Sequence, residues 1–437
     1  MMLRPMGRAV TASILSLAMA LGVTACSNDY TVSYLYMTTS KTLPHGLING
    51  YQIDYQSGSL LPLADSPIDT GGRDTVGLVV APNDLFLYTV NNFDSDVVEF
   101  AIGTDGKLYP QNTYNISGSL PTAAAIDAAG KFLYVTFTYQ NNANGTELYT
   151  PANPGPGGIT VFTINADNTL CSSTTDKSCL PNTPNCPRAS CAPFTVNAGR
   201  NPMGIATSTV GNFVYVTEQD AASTNNLLGF AENPTTGALT PLPGVTINPG
   251  NVASTGFATG SSPSGILEDA TGTHLYISDS VSQEIWSYSI GANGVPTPID
   301  NTGGQQVLAP TEAGPMGMAF DLSGRYLYVV AYTANTIDTF AIGSNGFTLG
   351  SGGEPVRLAS VQAGTGPTCV TISGAPSNAN PSHAEYLYAS NALSNNVTGE
   401  QVNQQDGSLY QVPGEPFGGS ALPTCAVTVP AFPLRNP

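Results

Sequence analysis

The chain has 437 residues, with 12 basic and 30 acidic side chains and a formal net charge of −18 at pH 7. A surface of this sign repels phosphate backbones and anionic lipid headgroups, so we exclude nucleic acid as a partner. The 47 glycines and 34 prolines, with only 10% charged residues, are typical of a turn-rich all-β chain. No sustained helical periodicity occurs after the extreme N-terminus.

The N-terminus has the pattern of an export signal and is left out of the fold prediction. Arg4 and Arg8 precede an uncharged apolar run over residues 9–23, and small residues lead to Cys26. This resembles a bacterial lipoprotein signal, in which the cysteine becomes the lipidated first residue. An ordinary cleaved signal peptide with an incidental cysteine is the alternative. The apolar run is shorter than the roughly 20 residues that a membrane-spanning helix needs.

We therefore predict a signal peptide over 1–25, a tether over 26–32 and a membrane contact through the N-terminal lipid only. Ser27 after the cysteine resembles the sorting preference for the outer membrane. The expected location is the bacterial cell envelope, with the folded part in the periplasm or at the cell surface. Removal of 1–25 takes away two arginines and makes the mature chain more acidic.

A couplet of a hydrophobic residue and a tyrosine occurs seven times, with the tyrosines 46 to 81 positions apart. The tyrosines are Tyr36, Tyr88, Tyr134, Tyr215, Tyr276, Tyr328 and Tyr388. Each repeat also has a strand of small residues, an alternating third strand and a hairpin signal such as Asp105-Gly106 or Asn293-Gly294. Such dipeptides supply the positive φ angles of two-residue hairpins. Four-stranded repeats of this length predict a β-propeller.

The strands of small residues are predicted to line the ring axis, at 75–80, 121–126, 202–207, 263–267, 315–320, 367–372 and 423–429. The first tyrosine couplet has no such strand before it, and the last such strand has no couplet after it. We therefore predict an all-β, seven-bladed β-propeller of four-stranded blades over 33–430. Pairing of the C-terminal strand, about 423–429, with the N-terminal strands closes the ring. Insertions are predicted over about 140–158 and 166–193, and a tail over 431–437.

The remaining cysteines are candidates for disulfides, as expected in an exported protein. Four of them lie in the second insertion, where three pairings are open: Cys171, Cys179, Cys186 and Cys191. A zinc knuckle is the alternative, although paired Cys-x-x-Cys elements and a nearby histidine are missing. Cys369 and Cys425 occupy the same register in neighbouring innermost strands. They form either a disulfide that locks the ring or two buried thiols, since equal register need not bring the Cβ atoms face to face.

Short segments such as Tyr134-Val135-Thr136 and Tyr215-Val216-Thr217 resemble the YVTN-type propeller repeat. They also resemble the lactonase-type seven-bladed propeller family, which includes 6-phosphogluconolactonase and carboxymuconate cyclase. The resemblance covers residues 33–430. It implies a Pro-His-x-His stretch in catalytic members, where this chain has residues Pro121 to Ala124 without histidine. It also implies a Pro-Arg-His stretch, where this chain has Pro202-Met203-Gly204. The family's glutamate after the tyrosine strand aligns with Gln219 when no gap is allowed and with Glu218 when the register slips by one residue.

One end of the ring is expected to gather the loops that precede the innermost strands and those that follow the tyrosine strands. These loops carry His45, Arg73, Tyr139, Arg200, Glu218, Asp220, Asp279, Glu312 and Tyr332. Arg73, Arg200 and Glu218 are the candidate catalytic residues, with Glu218 as base. The alternative is that these are solvated loop charges without a common target.

Three hypotheses follow for the function. The first, which we prefer, is an envelope lipoprotein whose propeller binds an unknown protein or small molecule at the channel mouth, with residues 140–158 as a recognition element. The second is a lactone hydrolase with a rebuilt site. The third is a structural envelope protein. We expect a monomer without cofactor or metal, since the three histidines are scattered and the chain lacks a phosphate loop or nucleophile elbow.

Overall fold

The computed structural model describes residues 31–40, 44–140, 157–171, 193–220, 223, 225–248, 254–301, 303–373 and 384–431. Within these ranges the regular elements are all β-strands, and they form seven antiparallel sheets. The predicted all-β class and the seven blades are confirmed. The signal peptide, Cys26 and most of the two predicted insertions lie outside the described residues.

Each sheet is one blade, and its strands are given from the axis outwards. Blade 1 has β32 (Pro423–Pro430), β1 (Thr31–Thr39), β2 (Leu47–Asp54) and β3 (Leu60–Pro62), with a short β4 (Ile68–Asp69) on β2. Blade 2 has β5 (Thr75–Val80), β6 (Phe86–Asn91), β7 (Asp96–Ile102) and β8 (Leu108–Asn115). Blade 3 has β9 (Gly118–Ile126), β10 (Phe132–Gln140), β11 (Gly158–Thr163) and β12 (Phe194–Asn197). Blade 4 has β13 (Pro202–Thr207), β14 (Phe213–Glu218), β15 (Leu227–Glu232) and β16 (Leu239–Pro241).

The last three blades each have two short outer strands on the third strand. Blade 5 has β17 (Pro263–Glu268), β18 (His274–Asp279), β19 (Glu284–Ile290), β20 (Pro296–Pro298) and β21 (Leu308–Pro310). Blade 6 has β22 (Pro315–Phe320), β23 (Tyr326–Ala331), β24 (Thr336–Gly343), β25 (Gly346–Phe347) and β26 (Arg357–Gln362). Blade 7 has β27 (Pro367–Ser373), β28 (Glu385–Asn391), β29 (Asn396–Val402), β30 (Leu409–Gln411) and β31 (Phe417–Gly418).

The ring closes between the two ends of the described chain. β32 pairs antiparallel with β1, which places Tyr36 opposite Val427. The innermost strands β5, β9, β13, β17, β22, β27 and β32 contact one another in that order, and β32 contacts β5 to complete the circle. The predicted closure is confirmed, and every innermost strand packs between two others.

The repeated tyrosine joins each blade to the next one. In five of the blades its buried hydroxyl donates to a carbonyl oxygen in the hairpin of the following blade. The pairs are Tyr36 to Gly106 (2.6 Å), Tyr88 to Asn168 (2.5 Å), Tyr215 to Gly294 (2.7 Å), Tyr328 to Gly407 (3.1 Å) and Tyr388 to Gly58 (2.6 Å). Gly106 has a φ of 79°, and a Cβ there would overlap the ring of Tyr34. Tyrosine and glycine therefore recur together because they make the contact between blades.

Cys369 and Cys425 form a disulfide between the innermost strands of blades 7 and 1. Of the two alternatives that the sequence left open, the pair of thiols is wrong. Equal register does not separate the two residues, because both occupy a position where neighbouring innermost strands approach closely, with the Cα atoms 5.0 Å apart. Glycine occupies the same position in other blades, and a Cβ on Gly265 would lie 2.5 Å from the carbonyl oxygen of Met316.

The cysteines of the second insertion are described only in part. Cys171 is buried just after the hairpin turn that follows β11, and its backbone N–H donates to the carbonyl oxygen of Thr163. Cys179, Cys186 and Cys191 lie outside the described residues. The disulfide pairing of this insertion therefore stays a prediction.

Candidate functional site

The loops before the innermost strands and after the tyrosine strands meet at one end of the ring, as the sequence predicts. In blade 4 the backbone N–H of Arg200 donates to Oε2 of Glu218 at 2.6 Å. In blade 5 the backbone N–H of Ser262 donates to Oδ2 of Asp279 at 2.7 Å, at the equivalent place. Acidic side chains thus hold the entry loops of the innermost strands at this end, which we call the channel mouth.

The channel wall carries hydroxyl and small apolar groups where the family resemblance implies histidines. The hydroxyl of Thr122 donates to the carbonyl oxygen of Pro202 in the next blade at 2.7 Å. Equivalent hydroxyls make the same bond between other blades: Ser264 to Pro315 (2.5 Å), Thr368 to Thr424 (2.7 Å) and Thr424 to Thr75 (2.9 Å). Within the seven innermost strands, Glu268 is the one charged side chain, and it lies at the end away from the mouth. These positions of the wall therefore hold the ring together.

Glu218 is the candidate base, and the structure buries it completely, with 0% of the residue exposed. Its Oε1 has no hydrogen-bond partner among the described residues. Burial raises the pKa of Glu218 to about 7, although the hydrogen bond from the backbone of Arg200 opposes this shift. A carboxyl group with this pKa gains or loses its proton near neutral pH, which is a property of general acids and bases.

Arg200 links Glu218 to a second carboxylate. Its Nη1 donates to Oδ2 of Asp220 at 3.1 Å, and the Asp220 side chain is only 3% exposed. The Nε of Arg200 is buried without a partner among the described residues. Arg200, Glu218 and Asp220 together form what we call the mouth cluster. The structure thus brings together two of the three predicted catalytic residues and adds Asp220 to them.

The Glu218 carboxylate also has a clear structural role. Its counterpart Asp279 holds the entry loop of blade 5 through Ser262, just as Glu218 holds the entry loop of blade 4. Gly199, with a φ of 70°, leaves the space for Glu218, because a Cβ there would lie 1.8 Å from Oε2. The buried carboxylate is therefore explained by loop anchoring even without a reaction.

Arg73 occupies a separate place at the mouth. Its Nε donates to Oδ1 of Asp94 at 2.8 Å, and its backbone N–H donates to Oδ2 at 2.7 Å. The guanidinium group lies over the ring of Phe93, 4.2 Å from the centroid, and it lowers the pKa of Asp94. Among the described residues, its polar contacts reach neither Arg200 nor Glu218.

Two other predicted mouth residues, His45 and Glu312, are also engaged in pairs. His45 Nδ1 lies 2.9 Å from Asp69, and Arg357 Nη1 donates to Oε1 of Glu312 at 2.9 Å. Arg357 was missing from the prediction because it comes from an outer strand, β26, and reaches the mouth through its long side chain. It also lies 3.6 Å from the buried Asp338.

Two absences hold for the described part of the chain. No three histidine, cysteine, aspartate or glutamate side chains converge there as metal ligands. No helix in these ranges is long and apolar enough to span a membrane.

Comparison with known proteins supports the fold. Residues 188–372, less than half of the chain, match the family model of the lactonase seven-bladed β-propeller. No curated protein matches the sequence. The chain is similar to the structure of the periplasmic gluconolactonase of Pseudomonas aeruginosa, with 17% identity and a TM-score of 0.61, over 91% of this chain and 99% of that one. A 6-phosphogluconolactonase-like protein of Bacteroides fragilis NCTC 9343 gives 19% identity and a TM-score of 0.63, over 92% and 99%. The resemblance predicted from the repeats is confirmed, and at this identity it establishes the fold alone.

Proposed function

This chain is a lactonase-like seven-bladed β-propeller, and on that premise we propose that it is an envelope-anchored binding module. The observation that carries the proposal is the channel wall. Thr122 and Ala124 stand where the resemblance implies two histidines, and Met203 and Gly204 stand where it implies an arginine and a histidine. Lactone hydrolysis needs a proton-transfer group and a cation that holds an anionic substrate. The hydroxyl of Thr122 already donates to the carbonyl oxygen of Pro202, and methyl and thioether groups supply neither of these.

The channel mouth is the proposed binding surface for a protein or a small molecule. Three apolar side chains stand exposed at the same position of the loops after the tyrosine strands: Phe93 is 56% exposed, Val281 67% and Leu393 55%. Because the three occupy equivalent positions at one end of the ring, a partner that covers the mouth would bury them together. The arginines Arg73 and Arg200 are already paired with acids, so this surface suits an uncharged or cationic partner better than an anion.

We expect the triple variant Phe93→Ala, Val281→Ala, Leu393→Ala to lose a partner that the native chain captures from envelope extracts. Truncation removes apolar area that the partner would bury, while the fold is unaffected because these side chains are exposed. The measurement is crosslinking capture followed by mass spectrometry. A matched variant replaces Leu85, Val210 and Leu322 by alanine, since these exposed side chains lie at the opposite end of the ring. Equal capture by both variants would contradict a site at the mouth.

We further propose that Cys26 carries the lipid that anchors the chain to the envelope. The support is the sequence pattern of residues 4–26. We expect Cys26→Ser to abolish incorporation of radioactive palmitate and to release the protein into the soluble periplasmic fraction. Cys171→Ser serves as the matched control and should stay in the membrane fraction. Palmitate labelling that persists in Cys26→Ser would refute lipid attachment at this residue.

The second candidate function is a lactone hydrolase that uses the mouth cluster. The specific observation in its favour is the pKa of about 7 for Glu218, beside the partly buried guanidinium group of Arg200. In this hypothesis Glu218 is the base and Arg200 holds the substrate. It requires turnover of a sugar lactone that Glu218→Gln abolishes.

A further inference from the structure

A cleft opens between blades 1 and 2 on the outer side of the ring, away from the channel mouth. Tyr36, Ile48, Leu63 and Ile68 form its apolar body, and its volume is about 160 Å³. Apolar cavities of about 150 Å³ hold one benzene molecule in proteins. The cleft therefore accommodates one six-membered ring or an alkyl chain of similar size.

Blade 1 has a smaller side chain than blade 7 at one position that lines the cleft. Ile68 of β4 pairs with β2, and Phe417 of β31 pairs with β29 at the equivalent place. In blade 7 the phenylalanine ring lies 2.9 Å from a Cβ built on Gly399. Over the equivalent Gly50 the nearest atom belongs to Leu63 rather than to Ile68. Leu63 therefore takes the place of the phenylalanine over Gly50, and Gly50, Leu63 and Ile68 line the cleft beside it.

The rim of the cleft is polar and carries a net negative charge. Asp65 and Asp105 contribute two carboxylates, and Lys107 contributes one ammonium group, which pairs with Asp65. The Lys107 and Asp65 side chains are 42% and 52% exposed, so solvent screens their pairing and a ligand charge is able to compete with it. Asp105 caps the backbone N–H of Lys107 at 3.1 Å and has no ion-pair partner among the described side chains.

We propose that this cleft binds a small molecule with an apolar ring or short alkyl body and a primary amine. The apolar body replaces water against the partly exposed side chains of Leu63 and Ile68, which is favourable in proportion to the area covered. The ammonium group then lies at the rim, where it donates hydrogen bonds to the carboxylates of Asp65 and Asp105. An anionic ligand of the same shape meets a net negative rim and binds less well.

The test is a ligand-observed NMR titration of the folded mature chain with benzylamine, with benzoate as the probe of opposite charge. We expect benzylamine to bind saturably and at least about tenfold more tightly than benzoate. Ile68→Phe should weaken benzylamine binding by about tenfold or more, because the new ring occupies the cleft as Phe417 does in blade 7. Asp105→Asn should weaken it several-fold without changing the shape of the cleft.

A matched control is Asp406→Asn, because Asp406 caps the same turn in blade 7. Its affinity for benzylamine should equal that of the native chain. Equal binding of benzoate and benzylamine, or full affinity in Ile68→Phe, would overturn the proposal, as would the lack of saturable binding. Since Asp105→Asn keeps an oxygen to cap its turn, it tests the proposal even if Ile68→Phe folds poorly.

Discussion

Replacement of both Cys369 and Cys425 by serine is expected to lower the free energy of unfolding by about 4 kcal/mol. The two cysteines are 56 positions apart, and a crosslink over such a loop removes much of the freedom of the unfolded chain. The bond also joins blade 7 to the blade that both ends of the chain complete, where loss of β32 would open the ring. Urea denaturation followed by the fluorescence of Trp286, the one tryptophan of the chain, measures the effect.

Dithiothreitol provides the matched control for the disulfide. It should destabilise the native chain at least as much as the double substitution does, because it reduces the same bond. Any further effect of dithiothreitol on the double variant then reports on the four cysteines from Cys171 to Cys191. An unchanged unfolding midpoint in the double variant would show that the crosslink contributes nothing to closure of the ring.

The fold was predictable because each repeat contains the residues that make the contacts between blades. Tyr36 and Gly106 recur as a pair in other blades since one donates to the other across the blade boundary. Closure of the ring was predictable from the two ends of the chain. The first tyrosine couplet, at Tyr36, has no strand of small residues before it, and the strand of small residues that begins at Pro423 has no tyrosine couplet after it. These are local patterns of period two and tight turns, which sequence displays directly.

The site was less predictable because it depends on distances across blades. Equal register of Cys369 and Cys425 left their bonding open, and only the close approach of the innermost strands decides it. Arg73 and Arg200 occupy equivalent loops, yet each pairs with an acid of its own blade. The cleft was not predictable because side chains of two blades line it, among them Leu63 of blade 1 and Lys107 of blade 2.

Glu218→Gln is expected to stabilise the fold at pH 8 and to destabilise it slightly at pH 4.5. The pKa of Glu218 is about 7 in the fold and 4.5 for an ordinary glutamate, so the folded chain binds this proton more tightly than the unfolded chain. As pH rises from 4.5 to 7 the unfolded state therefore holds fewer protons, and stability falls. The shift corresponds to a cost on the order of 3 kcal/mol above pH 7. Glutamine avoids it and keeps an oxygen for the backbone N–H of Arg200.

The amide group of the glutamine needs its own buried acceptor, which costs on the order of 1 kcal/mol. The net gain at pH 8 is thus roughly 2 kcal/mol, measured by urea denaturation at pH 4.5, 6 and 8, with the exposed Glu354→Gln as a control. A variant that is less stable than the native chain at pH 8 would refute the expected cost of burying the ionised Glu218.

The native chain and Glu218→Gln also decide between the functional hypotheses. A buried carboxyl that only anchors a loop predicts no turnover of sugar lactones or carboxymuconate by either protein. Turnover by the native chain that Glu218→Gln loses, while Asp279→Asn retains it, would replace the binding module with a hydrolase.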